Sequence, residues 1–296
     1  MSEAQSYLPF LSPPKNPKFR LPEGTCDAHF HFFEKDFEFS QPRSYTPSFA
    51  EHADYEELKQ ALGISTSVLV HPSVYGPDHT SFEAALARDP KRLRGVAVVY
   101  ESTTETQLAK WNQLGSRGTR VNALYKGGAK TSDLATLAAR VRPYSWHLQF
   151  LIDVSATPEV LTAAVATGVP VVVDHAGHPS PQALAMRQQD PGIALMLALL
   201  REGRIWVKLS GMYRLVRQDA SGGLQGKAMD DIRWLFEQLL IANPAQCLWG
   251  TDWPHPSMGP SMPHDADLTD LLHDWLGAEA LKPVFVDNPR RLYWQA

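Results

Sequence analysis

The sequence has only two cysteines, Cys26 and Cys247, among its 296 residues. Two thiols are too few for a disulfide scaffold, and too few for a zinc site made of four thiolates. Such sparing use of cysteine is typical of proteins from a reducing compartment. We therefore expect two buried, free thiols and a cytoplasmic location.

Long apolar runs and an excess of basic charge are also missing. No stretch of 18 apolar residues occurs, and the polar, proline-rich residues 1–20 lack the apolar stretch of a secretory signal. Lysine and arginine total 28 against 32 aspartates and glutamates, which gives a formal net charge of -4. This balance provides no general electrostatic attraction for nucleic acid. The sequence thus predicts neither a membrane nor a nucleic acid as partner.

A nucleotide-binding glycine loop is absent as well. No Gly-x-Gly-x-x-Gly occurs, and the pair Gly226-Lys227 is followed by Ala228 with no glycine five residues before it. An open, doubly wound sheet would need such a loop, or another site at its switch point, to bind a ligand. An open, doubly wound sheet is therefore a weaker expectation for this chain than a closed α/β barrel.

Eight short β-rich runs alternate with helix-like stretches along the chain. This alternation indicates parallel βα units, and eight is the number of strands that closes a barrel. We predict one (β/α)8 TIM barrel over residues 24–296 and an extended, proline-rich arm over residues 1–23. The predicted strands are Thr25–Phe32, Thr66–His71, Leu93–Val99, Gly118–Leu124, His147–Val154, Pro170–His175, Ile205–Ser210 and Gln246–Thr251.

Helical periodicity predicts seven helices between these strands. Asp54 stands just before the first of them, where a short acidic side chain is typical of an N-cap. The predicted helices are Tyr55–Leu62, Ser81–Arg88, Glu105–Leu114, Ser132–Arg140, Pro158–Thr167, Ile193–Glu202 and Met229–Ile241.

Titratable side chains stand at the ends of three predicted strands. The first strand runs into His29 and His31, which alternation places on one side together with Asp27. The sixth strand ends at His175 and the eighth at Asp252, each after an apolar run. Active sites of (β/α)8 barrels form at the carboxyl ends of the strands. We therefore expect three imidazoles and one carboxylate to meet there.

Three neutral imidazoles and a carboxylate suit two kinds of chemistry. They can hold one Zn²⁺-like ion, which would polarise a carbonyl or lower the pKa of a bound water. Without a metal, histidines can hydrogen-bond a carbonyl oxygen as it gains charge, while the carboxylate takes a proton from water. The residues leave both possibilities open. The candidate catalytic residues, which are also the candidate metal ligands, are His29, His31, His175 and Asp252.

Three motifs carry a family resemblance. They are His29-Phe30-His31, Asp174-His175-Ala176-Gly177-His178-Pro179 and Gly250-Thr251-Asp252-Trp253-Pro254-His255-Pro256. They resemble motifs of the amidohydrolase superfamily, in the amidohydrolase-related branch that includes 2-pyrone-4,6-dicarboxylate lactonases and sugar-acid lactonases. The likeness reaches the closing segment Asn288-Pro289-Arg290-Arg291-Leu292-Tyr293. It implies a distorted (β/α)8 barrel that hydrolyses a lactone or a similar ester.

The resemblance also implies roles for the site residues. Asp252 would be the general base that activates water, and the three histidines would polarise the scissile carbonyl, directly or through a metal. The fifth predicted strand has no lysine of the kind that members with two metals often carboxylate. A two-metal centre is therefore not expected.

Polar side chains near the other strand ends are suited to an anionic or polyhydroxylated lactone. Arginine favours bidentate contacts with carboxylates, and lysine favours less directional ones. The resemblance implies that Arg120, Arg214 and Tyr45 contact the substrate. The complete set of predicted substrate contacts is Tyr45, His71, Ser73, Arg120, Lys126, Gln149, His178, Arg214 and His255.

Three departures from the pyrone dicarboxylate lactonases concern the substrate. This chain has Lys126 and His178 where those enzymes have arginines, and Leu151 close to where they have a tyrosine. Part of a carboxylate clamp is therefore missing. A lactone with one carboxylate, or a hydroxyl-rich aldonolactone, fits the sequence as well as a dicarboxylate does.

The leading prediction is a lactonase of carbohydrate-acid or aromatic catabolism. Two other enzyme classes of the same superfamily stay open, a metal-dependent decarboxylase and a lactone isomerase. The non-enzymatic alternative is a barrel that binds a small acid without converting it. The sequence does not select an oligomeric state.

Overall fold

Eight parallel strands form a single sheet in the computed structural model, which describes residues 7–125, 133–215, 227–258 and 262–295. Each strand pairs with the next along the chain, and a parallel bridge from Phe30 to Trp253 links the first strand to the segment after the last. The predicted (β/α)8 barrel is confirmed. The strands are β1 Cys26–Phe30, β2 Thr66–Val70, β3 Leu93–Ala97, β4 Ser116–Asn122, β5 His147–Leu151, β6 Val171–Val173, β7 Ile205–Leu209 and β8 Cys247–Trp249.

Helices separate the strands, and more of them occur than the sequence predicts. The α-helices in the described ranges are α1 His52–Leu62, α2 Thr80–Arg88, α3 Glu105–Leu114, α4 Leu134–Val141, α5 Pro158–Ala166, α6 Pro181–Met186, α7 Pro191–Arg201, α8 Lys227–Ala242, α9 Asp265–Leu276, α10 Ala278–Lys282 and α11 Asn288–Tyr293. Of these, α6, α9, α10 and α11 were not predicted. None of the described helices is long and apolar enough to cross a membrane. The cytoplasmic location stays a prediction.

The start of α1 corrects one prediction. The helix begins at His52, and the backbone N–H of Glu51 donates to Asp54 Oδ2 over 2.8 Å. Asp54 therefore lies in the first turn, as the third helical residue, and is not the N-cap. An acidic side chain is favourable at both places, next to the free N–H groups of a helix start, so composition alone could not separate them.

A register shift in β1 corrects a second prediction. Pairing between β1 and β2 is irregular between Asp27 and Phe30. Asp27 bonds Tyr55 on α1, whereas His29 contacts Lys208 of β7 inside the barrel. The expectation that Asp27 shares the side of His29 is wrong, because an irregularity in register breaks the alternation that it assumed.

Asp27 joins β1 to the segment after β8, where the barrel closes. Its Oδ1 accepts the backbone N–H groups of His29 at 3.0 Å and of Thr251 at 2.9 Å. Its Oδ2 accepts the hydroxyls of Tyr55 at 2.9 Å and of Thr251 at 2.6 Å. Since Asp27 is fully buried, these four donors have no water to replace it.

We expect Asp27→Leu to lower the free energy of unfolding by at least about 3 kcal/mol, because it leaves several buried donors unpaired. Asp27→Asn should cost less, since its carbonyl oxygen can still accept both N–H groups while the hydroxyls can turn to accept from its amide. Urea denaturation followed by tryptophan fluorescence measures both. Equal midpoints for the two variants would contradict this account of the closure.

Both cysteines are buried, Cys26 among apolar strand residues and Cys247 against α8. Cys26 and Cys247 are free thiols, as predicted. Apart from the main apolar core, a second cluster consists of strand residues and one tyrosine of α11. Its buried members are Cys26, Ala28, Val68, Val70, Val96, Val172, Leu248 and Tyr293. Part of the barrel interior is therefore apolar, next to the polar side chains at the carboxyl ends of the strands.

The described part of the N-terminal arm, residues 7–23, contains neither helix nor strand and packs on its own barrel. The ring of Phe10 lies 5.0 Å from that of Trp253, and Tyr7 meets Tyr45 edge-on at 6.3 Å. Further along, the backbone N–H of Lys18 donates to Asp270 of α9 over 2.8 Å. The division into an arm over residues 1–23 and a barrel over residues 24–296 stays a prediction.

Candidate active site

The four predicted catalytic side chains meet at the carboxyl ends of β1, β6 and β8. The ring of His29 lies 5.0 Å from that of His31 and 4.7 Å from that of His175. Asp252 Oδ1 is 3.7 Å from Nε2 of His29 and 3.5 Å from Nε2 of His31, and Asp252 Oδ2 is 3.8 Å from Nε2 of His175. All four are buried. The structure thus brings the predicted set together.

The backbone is strained at two of these residues. Asp252 has φ 62° and His175 has φ 51°, in the left-handed region that residues with a Cβ rarely adopt. Such conformations persist where the surrounding structure enforces them, often at functional sites. Gly211 leaves room for the ring of His175, because a Cβ on residue 211 would lie 2.7 Å from the Nδ1 atom of that ring.

Each imidazole is held through Nδ1, so that Nε2 turns toward Asp252. His31 Nδ1 lies 2.7 Å from the carbonyl oxygen of Val70, and His175 Nδ1 lies 2.9 Å from Ser210 Oγ. A carbonyl only accepts, so the neutral ring of His31 carries its proton on Nδ1 and a lone pair on Nε2. His29 Nδ1 lies near Asp174 and Lys208, one an acceptor and the other a donor.

Asp252 has one bonded and one free carboxylate oxygen. Tyr213 OH and Arg214 Nε both donate to Oδ2, over 2.5 and 2.6 Å. Among the described residues, none donates a hydrogen bond to Oδ1. Burial alone would raise the pKa of Asp252, but the guanidinium of the nearby Arg214 holds it well below its usual value. The carboxylate is therefore ionised and presents an acceptor oxygen to the histidines.

The three histidines are neutral at pH 7. Burial lowers the pKa of His29 well below its usual value and lowers that of His31 as well. It lowers the pKa of His175 to about 3. Neutral rings can ligate a metal through a lone pair or donate one N–H each, which is what both forms of the predicted chemistry require.

The donor set fits one divalent ion. His29 Nε2 and Asp252 Oδ1 are buried and have no hydrogen-bond partner among the described residues. Together with a nitrogen of His31, their ligating atoms lie within 4.8 Å of one another, and a second such group joins His29 to Asp174 and His175. Imidazole nitrogens and a carboxylate oxygen are ligands that Zn²⁺ accepts. The residues could thus hold a metal at this place.

A buried polar network supports the site from below. Arg120 Nε and Gln149 Nε2 donate to Asp174 Oδ2, over 2.9 and 3.1 Å. Lys208 Nζ donates to Gln149 Oε1 over 2.7 Å. Burial would raise the pKa of Asp174, but the positive charges of Lys208 and Arg120 hold it well below its usual value. Burial lowers the pKa of Lys208 to about 8.

A cavity of about 330 Å³ opens from the four catalytic candidates toward solvent. Most of the residues in its wall have polar side chains, among them two arginines and several hydroxyl groups. The lining residues are His31, Tyr45, Ser73, Arg120, Asn122, Tyr125, Leu151, His175, His178, Arg214, Asp252, Pro256 and Ser257. Five of the predicted substrate contacts belong to this wall, namely Tyr45, Ser73, Arg120, His178 and Arg214.

Three other predicted contacts do not line the cavity, which corrects their assignment. His71 stacks on His79 at 3.8 Å between ring centroids, and Gln149 belongs to the buried network. His255 packs against Tyr213 and lies 3.0 Å from Asp265 of α9. A position near a strand end did not reveal whether these side chains face the cavity or the helices. The remaining predicted contact, Lys126, lies outside the described residues.

Three residues at the site were missed. Tyr213 bonds Asp252 directly, and Tyr125 and Ser257 line the cavity within 3.4 Å of each other. Tyr125 follows β4 and Tyr213 follows β7, so the rule applied to other strand ends would have found both. Ser257 lies far into the loop after β8, and no local signal marks it.

Comparison with known proteins links this geometry to a family. The profile of the amidohydrolase family matches residues 26–294. A 2-pyrone-4,6-dicarboxylate hydrolase of Comamonas testosteroni is 32% identical, over 97% of this chain and 96% of that protein. A 4-sulfomuconolactone hydrolase of Hydrogenophaga intermedia is 31% identical, over 94% and 91%. A D-galactarolactone isomerase of Agrobacterium fabrum is 26% identical, over 99% and 97%.

Solved structures of other proteins share this fold. A putative 2-pyrone-4,6-dicarboxylic acid hydrolase from Pseudomonas putida superimposes with a TM-score of 0.79, at 28% identity, over 92% of this chain and 98% of that one. An amidohydrolase from Burkholderia multivorans, solved with bound zinc, has a TM-score of 0.71 at 20% identity, over 91% and 98%. The second likeness shows the fold alone.

Proposed function

We infer that this chain, which belongs to the amidohydrolase family, is a hydrolase that opens lactones. The observation that carries this inference is the buried carboxylate of Asp252 at the base of an open cavity, whose free oxygen Oδ1 faces His29 and His31 and whose other oxygen lies near His175. Two relatives above 30% identity are named as lactone hydrolases. A base next to groups that can polarise a carbonyl is what water needs to attack a cyclic ester.

We propose that Asp252 and His31 hold the attacking water between them. Asp252 Oδ1 and His31 Nε2 lie 3.5 Å apart, and both are acceptors, so one water can donate a hydrogen to each. The water's lone pair then points away from them, toward the cavity. His31 was predicted to polarise the carbonyl, but its Nε2 lone pair makes it better suited to the water.

The reaction then proceeds in two steps. The water oxygen bonds to the lactone carbonyl carbon while its proton passes to Asp252, and the negative charge collects on the former carbonyl oxygen. Hydrogen bonds from the remaining imidazoles stabilise this oxyanion. The ring C–O bond breaks, and Asp252 returns the proton to the leaving ring oxygen. The product is a hydroxy acid, or its keto form where the leaving oxygen is an enol.

The metal state belongs to the same proposal. A divalent ion such as Zn²⁺, when bound, would be held by His29, His31, His175 and Asp252, and would act as a Lewis acid on the carbonyl and lower the pKa of bound water. The same side chains can bind the water and donate hydrogen bonds on their own. The two states therefore share the role of Asp252 as base.

The wall of the cavity favours a carboxylated lactone with further oxygen atoms. Arg120 and Arg214 supply positive charge, and Tyr45, Tyr125 and Ser257 supply hydroxyl groups. Charge-assisted contacts with arginine are suited to a carboxylate, and hydroxyls are suited to either carboxylate or sugar oxygens. We propose a small anionic or polyhydroxylated lactone as the substrate.

Product analysis tests this function. Purified protein is incubated with 2-pyrone-4,6-dicarboxylate, 4-sulfomuconolactone and D-galactarolactone, and the products are followed by NMR. We expect a ring-opened acid from at least one of them. An isomeric lactone would assign the chain to the isomerases, and release of CO₂ would assign it to the decarboxylases. Binding without conversion of any of the three would favour the non-enzymatic alternative.

A further inference from the structure

Lys208 is a fully buried lysine that the hydrolysis above does not use. It lies on β7 and does not line the cavity. Its Nζ is 2.7 Å from Gln149 Oε1, 3.3 Å from His29 Nδ1 and 3.4 Å from Asp174 Oδ1. A buried amine requires partners for its N–H groups, and these three atoms are the ones that the described residues provide.

His29 Nδ1 faces two neighbours that demand opposite tautomers. Asp174 Oδ1, at 3.2 Å, is an acceptor and would favour a proton on Nδ1. Lys208 only donates, so it favours a lone pair on Nδ1 and a proton on Nε2. The first tautomer presents a lone pair at the site, as a metal ligand must. The second presents an N–H, as a hydrogen-bond donor to an oxyanion must.

The contacts favour the tautomer that Lys208 requires. Lys208 and His29 Nδ1 meet with hydrogen-bond geometry, whereas Asp174 Oδ1 accepts no hydrogen bond from the described residues. Asp174 already accepts two hydrogen bonds at Oδ2, from Arg120 and Gln149. Without His29, Lys208 would keep Gln149 as its one well-oriented acceptor in the described part of the chain. As an ammonium, 3.4 Å from the carboxylate oxygen Oδ1 of Asp174, Lys208 has no lone pair and can only donate in this bond.

We propose that Lys208 is a positioning residue that fixes His29 with its proton on Nε2. His29 then offers the site an N–H group in place of a lone pair. This makes His29 a donor to the oxyanion of the proposed hydrolysis, and it weakens divalent-metal binding because a ligating imidazole must present a lone pair. The inference deepens the proposed function, on which its catalytic part rests.

The tautomer is measurable without substrate or metal. Protein dialysed against chelator and labelled with ¹⁵N-histidine shows each of the 11 histidines in two-bond ¹H–¹⁵N correlation spectra, and the His29→Gln spectrum assigns His29. We expect wild-type His29 to be protonated on Nε2 and His31 on Nδ1. A proton on Nδ1 of His29 would overturn the proposal. Since no turnover is involved, this failure is distinct from a failure of the lactonase assay.

The variant Lys208→Met provides the second test. Among the described residues, it leaves Asp174 as the polar partner of Nδ1, so we expect His29 to change to the Nδ1-protonated tautomer. Zn²⁺ affinity, measured by titration calorimetry, should rise about tenfold or more. In the metal-free state kcat should fall about 10²-fold with little change in KM, as for loss of one oxyanion donor.

A matched control separates this effect from loss of a buried lysine. Lys59 on α1 is nearly buried and pairs with Glu56, outside the site. Lys59→Met should leave the His29 tautomer and the Zn²⁺ affinity unchanged. An unchanged tautomer in Lys208→Met, or a wild type that keeps one equivalent of Zn²⁺ after chelator treatment, would contradict the proposal. If Lys208→Met does not fold, the wild-type spectrum alone decides.

Discussion

Asp252→Asn is expected to reduce turnover by about 10³-fold, within the range for loss of a general base. The side chain can keep its place, because its carbonyl oxygen can accept the hydrogen bonds that Tyr213 and Arg214 now give to Oδ2. Its amide nitrogen then occupies the position of Oδ1, which faces His29 and His31. An amide nitrogen cannot take a proton from water, so the base is lost while the shape remains.

Substrate affinity separates this expectation from its rivals. Titration of the substrate into Asp252→Asn should give a dissociation constant within about tenfold of the wild-type value, since one charge-assisted contact at most is altered. The control is Asp231→Asn, which makes the same change at a buried aspartate that pairs with Arg187 outside the cavity, and should retain most of the turnover. Turnover near the wild-type rate in Asp252→Asn would contradict the assignment of the base.

Arg214→Met is expected to raise KM roughly 10- to 100-fold, the equivalent of one hydrogen bond to a charged group. Arg214 lines the cavity and is largely buried, so its guanidinium can hold a substrate carboxylate away from competing water. Steady-state kinetics measures the change. Arg187→Met is the matched control, because Arg187 pairs with Asp231 outside the cavity and should leave KM unaltered.

The same variant should change the pH dependence of kcat/KM. Asp252 acts in its ionised form, and Arg214 is the strongest of the influences that lower its pKa against the opposing effect of burial. In the wild type, the acid limb should therefore lie below the usual carboxyl range. Without Arg214, burial raises the pKa, so Asp252 gains its proton at a higher pH and the acid limb moves upward. An acid limb that does not move would mean that another group controls it.

The barrel could be predicted from the sequence because each of its strands and most of its helices leave a local pattern of apolar residues. Apolar runs such as Val171–Val173 are typical of strands covered on both faces, and each is followed by a helix-like stretch. The sequence analysis missed short elements such as α6, although Ser180 caps this helix and a proline lies in its first turn. A helix of six residues has too few turns to show a period, so only its cap could have revealed it.

The cluster of three histidines and one aspartate could be predicted from the sequence, but the side chains that line the cavity could be predicted only in part. The rule that active-site residues follow barrel strands predicted that His29, His31, His175 and Asp252 lie close together, and they do; their catalytic roles stay a prediction. The rule did not distinguish side chains that line the cavity from side chains that face the surrounding helices, because a shift of one residue in register reverses the direction of a side chain. The register shift in β1 and the packing of His255 against Tyr213 depend on tertiary contacts that no local pattern records.

One measurement tests the central claim most directly, a single turnover in H₂¹⁸O with enzyme in excess over a lactone that the protein converts. If Asp252 is the base for a direct attack by water, mass spectrometry will find one ¹⁸O atom in the new carboxylate after the first turnover. If the Asp252 carboxylate attacks the carbonyl itself, the first product can carry ¹⁶O taken from Asp252, and ¹⁸O appears in the protein. A product without ¹⁸O would therefore contradict the account.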